Sequence, residues 1–322
     1  MPFIRERHYI QVPVKSAQFL IKVLGFSPKL AQKTIDKARL RLPDSTPIHK
    51  SQLISGEVWL TRFVDTYYPQ SELLSPIFST NDFALFDKPA KLLTHPKGTF
   101  THKSLIDSIR YFCGTQAQPI HRLDYETSGA ILVAKTRQSE KALKQLVATK
   151  QVEKLYLAKV TGILRDEILI DAPIYTPHKR ARGHLSIRSC ISDLGKDSRT
   201  LLTPIHIDTA HNCTYIYARP FTGRTHQIRL HCAHIGLPIC GDLLYGAGDC
   251  VADSYLNALK EHFLAESNIV DSSAQAKATG NNLLAQTLCL HAFSLRFCYD
   301  SLRYALYAPV PSWWQVDSSR SS

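Results

Sequence analysis

The stretch HRLDYETSGAILVAKT, residues 121–136, decides how this chain is read. A carboxylate, Asp124, stands two residues after Arg122 and three after His121. A polar Thr-Ser-Gly turn follows, and then an apolar run, Ile131 to Ala134, that reads as a buried strand. Charged residues just ahead of a buried strand sit at the rim of a core, where clefts form. An Asp beside cations stays ionised even when partly buried. Asp124 is therefore a candidate nucleophile or base. The same residues also fit a structural salt bridge that caps a turn.

Outward from this stretch the chain reads as two units. Residues 1 to about 65 form the first. Within it Ser16 to Leu24 reads as a short amphipathic helix closed by Gly25, and Pro28 to Arg39 as a second helix. Leu40 to Val64 reads as short strands and turns. Lys29, Lys33 and Lys37 are four apart and share one helix face, either a phosphate-contacting ridge or a solvated face. Residues 66–80, polar and with two prolines, read as a linker. The second unit runs over 81–318, with strands at Phe83–Phe86, Ile131–Ala134, Lys154–Val160, Leu201–Ile207 and Tyr215–Pro220. Its helices are expected at Ser104–Phe112 and Ser139–Val147. Strands and helices do not alternate regularly, so the class expected is α+β rather than a doubly wound sheet. Residues 248–286, rich in Ala, Ser and Asn, read as a surface insertion with a short helix near Tyr255 to Ala265.

Charge narrows the choice of partner. The chain has 322 residues, with 39 Lys and Arg against 27 Asp and Glu, a net charge of +12 and a pI of about 9.3. Such a surface attracts polyanions, above all nucleic acid or anionic lipid. No run reaches the roughly 18 apolar residues of a membrane span, and the N-terminus lacks the apolar stretch of a signal peptide. The eight cysteines show no C-x-x-C spacing and read as reduced thiols of a cytoplasmic protein. A monomer is the default expectation.

A second constellation, FTGRTHQIRLHCAHIGLPICGDLLYG, spans 221–246. His226, His231 and His234 with Cys232 raise a metal reading. His231 and His234 are only i, i+3, however, and no acid joins them before Asp242. A zinc site gathers N and S ligands in a recognisable pairing, so no metal is expected, and polar residues lining an RNA-facing cleft is the preferred reading. The densest basic loop is His178 to His184, with Lys179, Arg180 and Arg182, and it continues to Arg188 without an acid. Such a loop suits backbone phosphates, or is simply solvated.

The string HRLDYETSG resembles the HRLDxxTSG signature of the RluA family of pseudouridine synthases. GRTHQIRLHCAHIGLPICGDLLYG, 223–246, resembles that family's second long motif. LFDKPAKLLTHP (85–96), EKLYLAKVTG (153–162), GKDSRT (195–200) and LHAFSLRF (290–297) resemble its shorter motifs in the expected order. Lys91 stands where the family usually has Gly, and Ser198 where it has Ala. The resemblance implies a pseudouridine synthase fold with a mixed, mainly antiparallel central sheet flanked by helices. It implies an RNA-modifying isomerase that needs no cofactor. It implies Asp124 as nucleophile, Tyr156 as the active-site Tyr that stacks on the uracil, and Arg224 as the Arg that pairs with Asp124. Arg229 is left to contact phosphate. Arg122 fills the gap left by a flipped base or holds a phosphate, and His121 and Thr127 join it in the RNA-binding set with Arg229, Lys179, Arg180, Arg182, Lys33 and Lys37. The first unit resembles the S-four-type RNA-binding module of a small-subunit ribosomal protein, but Pro43-Asp44 replaces its usual Asn-Gly turn. That module favours ribosomal RNA over transfer RNA as the partner. An RNA chaperone sharing the fold and a metal-dependent nuclease or deaminase are the competing readings.

Overall fold

The computed structural model describes residues 3–63, 73–96, 104–177, 188–268 and 287–316. In the first unit β1 (Phe3–Lys15) leads into a single helical turn, α1 (Ser16–Gln18), which widens into a π-turn over Phe19–Val23. Gly25 follows at φ 69°. Helix α2 (Pro28–Asp36) is capped by the Ser27 side chain, which accepts from Leu30 N. β2 (Leu40–Arg41) and β3 (Leu53–Phe63) complete a sheet of order β1-β3-β2. Phe19, Leu20, Ala31, Ile35, Val58 and Leu60 bury its core. The sequence reading gives β1 no element, because its partner β3 lies far along the chain and only Ile10 in the 6–15 stretch is an apolar residue fully buried.

The second unit adds, in order, β4 (Phe78–Ser79), β5 (Phe83–Lys88), α3 (Leu105–Cys113), β6 (Gln118–Pro119), β7 (Ser128–Ala134), α4 (Arg137–Ala148), β8 (Glu153–Thr161), β9 (Ile168–Asp171), β10 (Ile174–Tyr175), β11 (Cys190–Ile191), β12 (Arg199–Asp208), β13 (Cys213–Pro220), α5 (Gln227–His234), α6 (Asp249–Asn268), β14 (Leu290–Tyr299) and β15 (Leu302–Tyr307). A ten-stranded sheet has the order β4-β5-β7-β14-β8-β13-β12-β9, with β15 on β14 and β6 on β7. Every pairing along it is antiparallel except β7 with β14, so the expected mixed, mainly antiparallel sheet and α+β class are what the chain forms. The sheet starts at Phe78, inside the stretch expected as linker.

The string GAILVA is buried throughout because β7 is covered on both faces. Ala130, Leu132 and Ala134 pack with Leu143 of α4 and with Phe297. Ile131 and Val133 pack with Ile106 and Ile109 of α3. Gly129 is required where β7 meets β14. Its φ is 111°, and a Cβ there would lie 2.2 Å from Ala292 O. This parallel junction places the loop before β7 beside β8, the strand that carries Tyr156.

The insertion differs from its expectation. It forms a twenty-residue helix, α6, rather than a short one, and its Ala252, Tyr255 and Ala258 are buried. Phe263 meets the ring of Tyr125 edge-on at 5.0 Å, so this helix packs on the Asp124 loop instead of lying free on the surface. Residues 269–286 lie outside those described.

Candidate active site

The Asp124 loop is clamped from below by the loop after β5. Lys88, fully buried, donates from Nζ to Pro89 O at 2.8 Å, Leu92 O at 2.8 Å and Tyr125 O at 3.3 Å. Lys91 N donates to Tyr125 O at 2.7 Å, and Leu123 N donates to Thr94 Oγ1 at 3.3 Å. Lys91 has a left-handed backbone, with φ 63°, a conformation that Gly adopts more readily. Burial holds the Lys88 ammonium down at about 7, against the opposing pull of Asp124, Glu126 and Asp87.

Asp124 opens onto a cleft of about 860 Å³ shared with Arg122, Thr127, Tyr156, Arg199, Arg219 and Arg224. Its side chain is 22% exposed, enough to meet a substrate yet partly withdrawn from water. Tyr156 rises from β8 into the same cleft and packs against the cores on both sides of the sheet junction. Burial first, and Asp124 second, push its hydroxyl above the usual tyrosine range, so it is neutral and can donate. Thr127 is 2% exposed, and its Oγ1 has no hydrogen-bond partner among the described residues. Arg122 is exposed at the cleft wall.

The two arginines of the second motif sit differently from what was expected of them. Arg229, on α5, is 2% exposed. It grips Asp242 through Nε to Oδ2 at 2.8 Å and Nη2 to Oδ1 at 2.7 Å, and it donates from Nη1 to Glu126 Oε2 at 2.8 Å. A guanidinium so enclosed is not free to contact phosphate. Burial alone would lower its pKa, but Asp242, Glu126 and Asp124 outweigh burial and raise it. Arg224 lies on the loop before α5, and its Nε donates to Asp197 O at 3.2 Å. The side chain that faces Asp124 is instead His226, whose Nε2 is 3.8 Å from Oδ1. The expected Asp124–Arg224 pair is thus replaced by His226 beside Asp124 and by Arg229 beneath the loop, joined to it through Glu126.

His121 lines the same cleft, but its ring is also engaged with the sheet. Its Nε2 accepts from Leu132 N at 3.2 Å, and burial, helped by Lys154, pushes its pKa down to about 3. A neutral imidazole there caps a backbone N–H of β7. His231 is a core residue, linked to Thr200 Oγ1 at 2.9 Å and Ala172 O at 3.0 Å. Lys33 is exposed on α2, and Lys37 is exposed just past the end of that helix. Lys179, Arg180 and Arg182 lie outside the described residues. Sequence reasoning missed Arg199 and Arg219, each just inside the end of a strand, and missed Lys88, His226 and Tyr245 as parts of the site. The strings DKP, THQ and LLYG contained the last three, but nothing local shows which of their residues point inward.

Comparison with known proteins follows the same motifs. A family model described as RNA pseudouridylate synthase matches residues 82–234. An uncharacterized RNA pseudouridine synthase of Helicobacter pylori is 41% identical over 311 residues, 97% of each chain. A ribosomal large subunit pseudouridine synthase D of Xanthomonas campestris is 37% identical, covering 55% of this chain and 53% of its own. A tRNA pseudouridine(31) synthase of Saccharomyces cerevisiae is 29% identical, covering 52% and 45%. The human RNA pseudouridylate synthase domain containing 1 superposes with a TM-score of 0.54 at 24% identity, over 76% of this chain and 87% of that one, which speaks for the fold.

Proposed function

The chain belongs to the RNA pseudouridine synthases of the RluA type, and from that premise we propose that it isomerises uridines in structured ribosomal RNA, with Asp124 as nucleophile and the target base flipped into the Asp124 cleft. The observation that carries this reading is the partly buried Asp124 carboxylate, opening onto a cleft whose walls bear Arg122, Arg199, Arg219 and Arg224, while the cleft's other acid, Glu153, is exposed. The arginines suit phosphates, which position the strand. Asp124, a carboxylate with no phosphate-binding use and partly withdrawn from water, is left for the nucleoside.

Pseudouridine formation breaks the bond between ribose and uracil, turns the base and rejoins it through carbon 5. The atoms are the same before and after, so no redox equivalent or energy source enters. A stacked uridine must first leave its helix, which costs a few kcal/mol. Arg122, exposed at the cleft, is placed to occupy the vacated gap or to hold a phosphate. The Tyr156 ring offers a stacking surface worth roughly 1–3 kcal/mol per base, and its hydroxyl, kept neutral by burial, is suited to exchange the carbon 5 proton. The first unit, as an S-four-type module, would hold the RNA outside the cleft and favours ribosomal RNA.

The test is tritium release from RNA labelled at carbon 5 of uridine, with ribosomal and transfer RNA run separately. Wild type releases tritium from ribosomal RNA, and Asp124→Ala falls by at least about 10³-fold. Release from transfer RNA alone overturns the substrate reading. Equal release by wild type and Asp124→Ala overturns the choice of nucleophile.

A further inference from the structure

We propose that Ser189, Tyr245 and His226 form a one-way hydrogen-bond chain that presents a neutral imidazole Nε2–H to Asp124 Oδ1, and so leaves Oδ2 as the oxygen that meets the nucleotide. His226 and Tyr245 are then positioning residues, and the inference rests on Asp124 being the reacting carboxylate.

The direction of the chain follows from its donors. Ser189 N can only donate, and it lies 3.0 Å from Tyr245 Oη. The tyrosine oxygen accepts that bond and keeps its own hydrogen to give away. His226 Nδ1 lies 2.8 Å from the same oxygen. Nδ1 therefore accepts, and the ring hydrogen resides on Nε2. Nε2 is the nitrogen that faces Asp124, at 3.8 Å from Oδ1, and a carboxylate on that side favours a hydrogen there. That spacing is longer than a hydrogen bond. Catalytic contacts are often long without substrate and tighten in the complex.

Three further features hold the chain in place. His226 sits at φ 57°, a left-handed conformation uncommon for a residue other than Gly, as the residue that caps the start of α5. Strain of this kind persists where the surroundings impose it, and it clusters at active sites. The Tyr245 ring is contacted by two guanidinium groups, Arg188 and Arg229, each 5.5 Å from its centroid. Tyr245 N donates to Asp242 Oδ1 at 3.0 Å, so the backbone of the relay is tied to the acid that grips Arg229. Burial pushes the Tyr245 hydroxyl up to about 12, and the hydroxyl keeps its hydrogen across the working pH range.

Asp124 is faced on other sides by Lys88 at the end of β5, Glu126 on its own loop, Tyr156 on β8 and Arg229 on α5. All of these stay in place in variants of His226, so a change in the pH profile of such a variant reports the imidazole.

The experiment combines a tautomer measurement with kinetics on the full chain. In 15N histidine spectra, with the signal assigned by its loss in His226→Gln, wild type shows a neutral Nε2–H tautomer at pH 7. An Nδ1–H tautomer or an imidazolium overturns the chain. In tritium release, His226→Ala lowers kcat by about 10–100-fold, the loss expected for a hydrogen bond to a charged group, while KM for RNA moves less than about twofold. The acidic limb of its kcat profile moves up, because the carboxylate has lost a donor. His226→Gln, whose amide nitrogen reaches the place of Nε2, recovers most of kcat. Tyr245→Phe keeps the ring and the fold but releases Nδ1, so the tautomer signal becomes mixed and kcat falls. Unchanged kcat in His226→Ala, or a Gln variant no better than Ala, overturns the proposal while Asp124→Ala remains inactive. Activity retained in Asp124→Ala instead overturns the reading on which the proposal rests.

Discussion

The Asp124 wall and the first unit treat charge in opposite ways. Beneath Asp124, Lys88 and Arg229 are buried at 0% and 2% exposure, and among the described residues their side chains donate to carbonyls and carboxylates. In the first unit Lys29, Lys33 and Lys37 are exposed, and the Arg62–Glu6 pair has side chains 46% and 27% exposed. Burial makes each charge in the first region depend on its partner, because an uncompensated charge in a low dielectric is expensive. Exposure makes each charge in the second region nearly independent, because water and salt screen it. The first arrangement suits a catalytic loop that must not move, and the second a surface that meets a polyanion.

The sharpest way to break this contrast is to remove one arginine from each side of the second motif. Arg229→Met leaves Asp242 and Glu126 buried without their cation, and should cost about 3–5 kcal/mol in urea unfolding. Arg224→Met, five residues earlier and bonded through Nε to a backbone carbonyl, should cost less than about 1 kcal/mol. Equal losses would mean that the buried cluster contributes no more than a surface contact.

This pair of residues also shows where the sequence stops being legible. The order of motifs led to the sheet, to the strand after Asp124 and to Tyr156. Ile131 to Ala134 could be read as a buried strand because a short unbroken apolar run ahead of polar residues suits one. The role of an Arg depends on its partners, and Asp242 and Glu126 are 13 and 103 positions from Arg229. Nothing in GRTHQIR says that its first Arg faces the cleft and its second the interior. The same applies to β1, whose ladder with β3 is long-range, and to α6, whose composition reads as a surface segment until Phe263 is seen against Tyr125.

Lys88 sharpens the contrast through pH. Its amine falls from the usual 10.5 to about 7 in the folded chain, chiefly through burial. Between about pH 7 and 10.5 the unfolded chain therefore binds a proton that the folded chain does not. Stability rises with pH across that window, by up to about 1.4 kcal/mol per pH unit from this one group. Below about pH 7 both states carry the proton and the slope vanishes. Lys88→Met should flatten the rise in urea midpoints measured from pH 6.5 to 9.5, by comparison with wild type. Parallel profiles would place Lys88 among the screened charges after all.

The smallest effect is expected in the first unit, and it decides what that unit is for. Partial burial, then Arg39 and Lys33, hold the Lys37 ammonium below its usual range. Like charges crowded on an exposed face are relieved when an anion arrives, which suits a phosphate contact better than an idle solvated face. If Lys33 and Lys37 each neutralise one phosphate, the double alanine variant should lower the slope of log K against log salt by about 1.5. Its kcat at saturating RNA should equal wild type, since neither side chain belongs to the Asp124 cleft. An unchanged slope would reduce the row to a solvated face and weaken the case for an S-four-type module. A fall in kcat at saturating RNA would show instead that RNA held by the first unit helps to set the geometry at Asp124, so that the screened region and the buried one act on the same step.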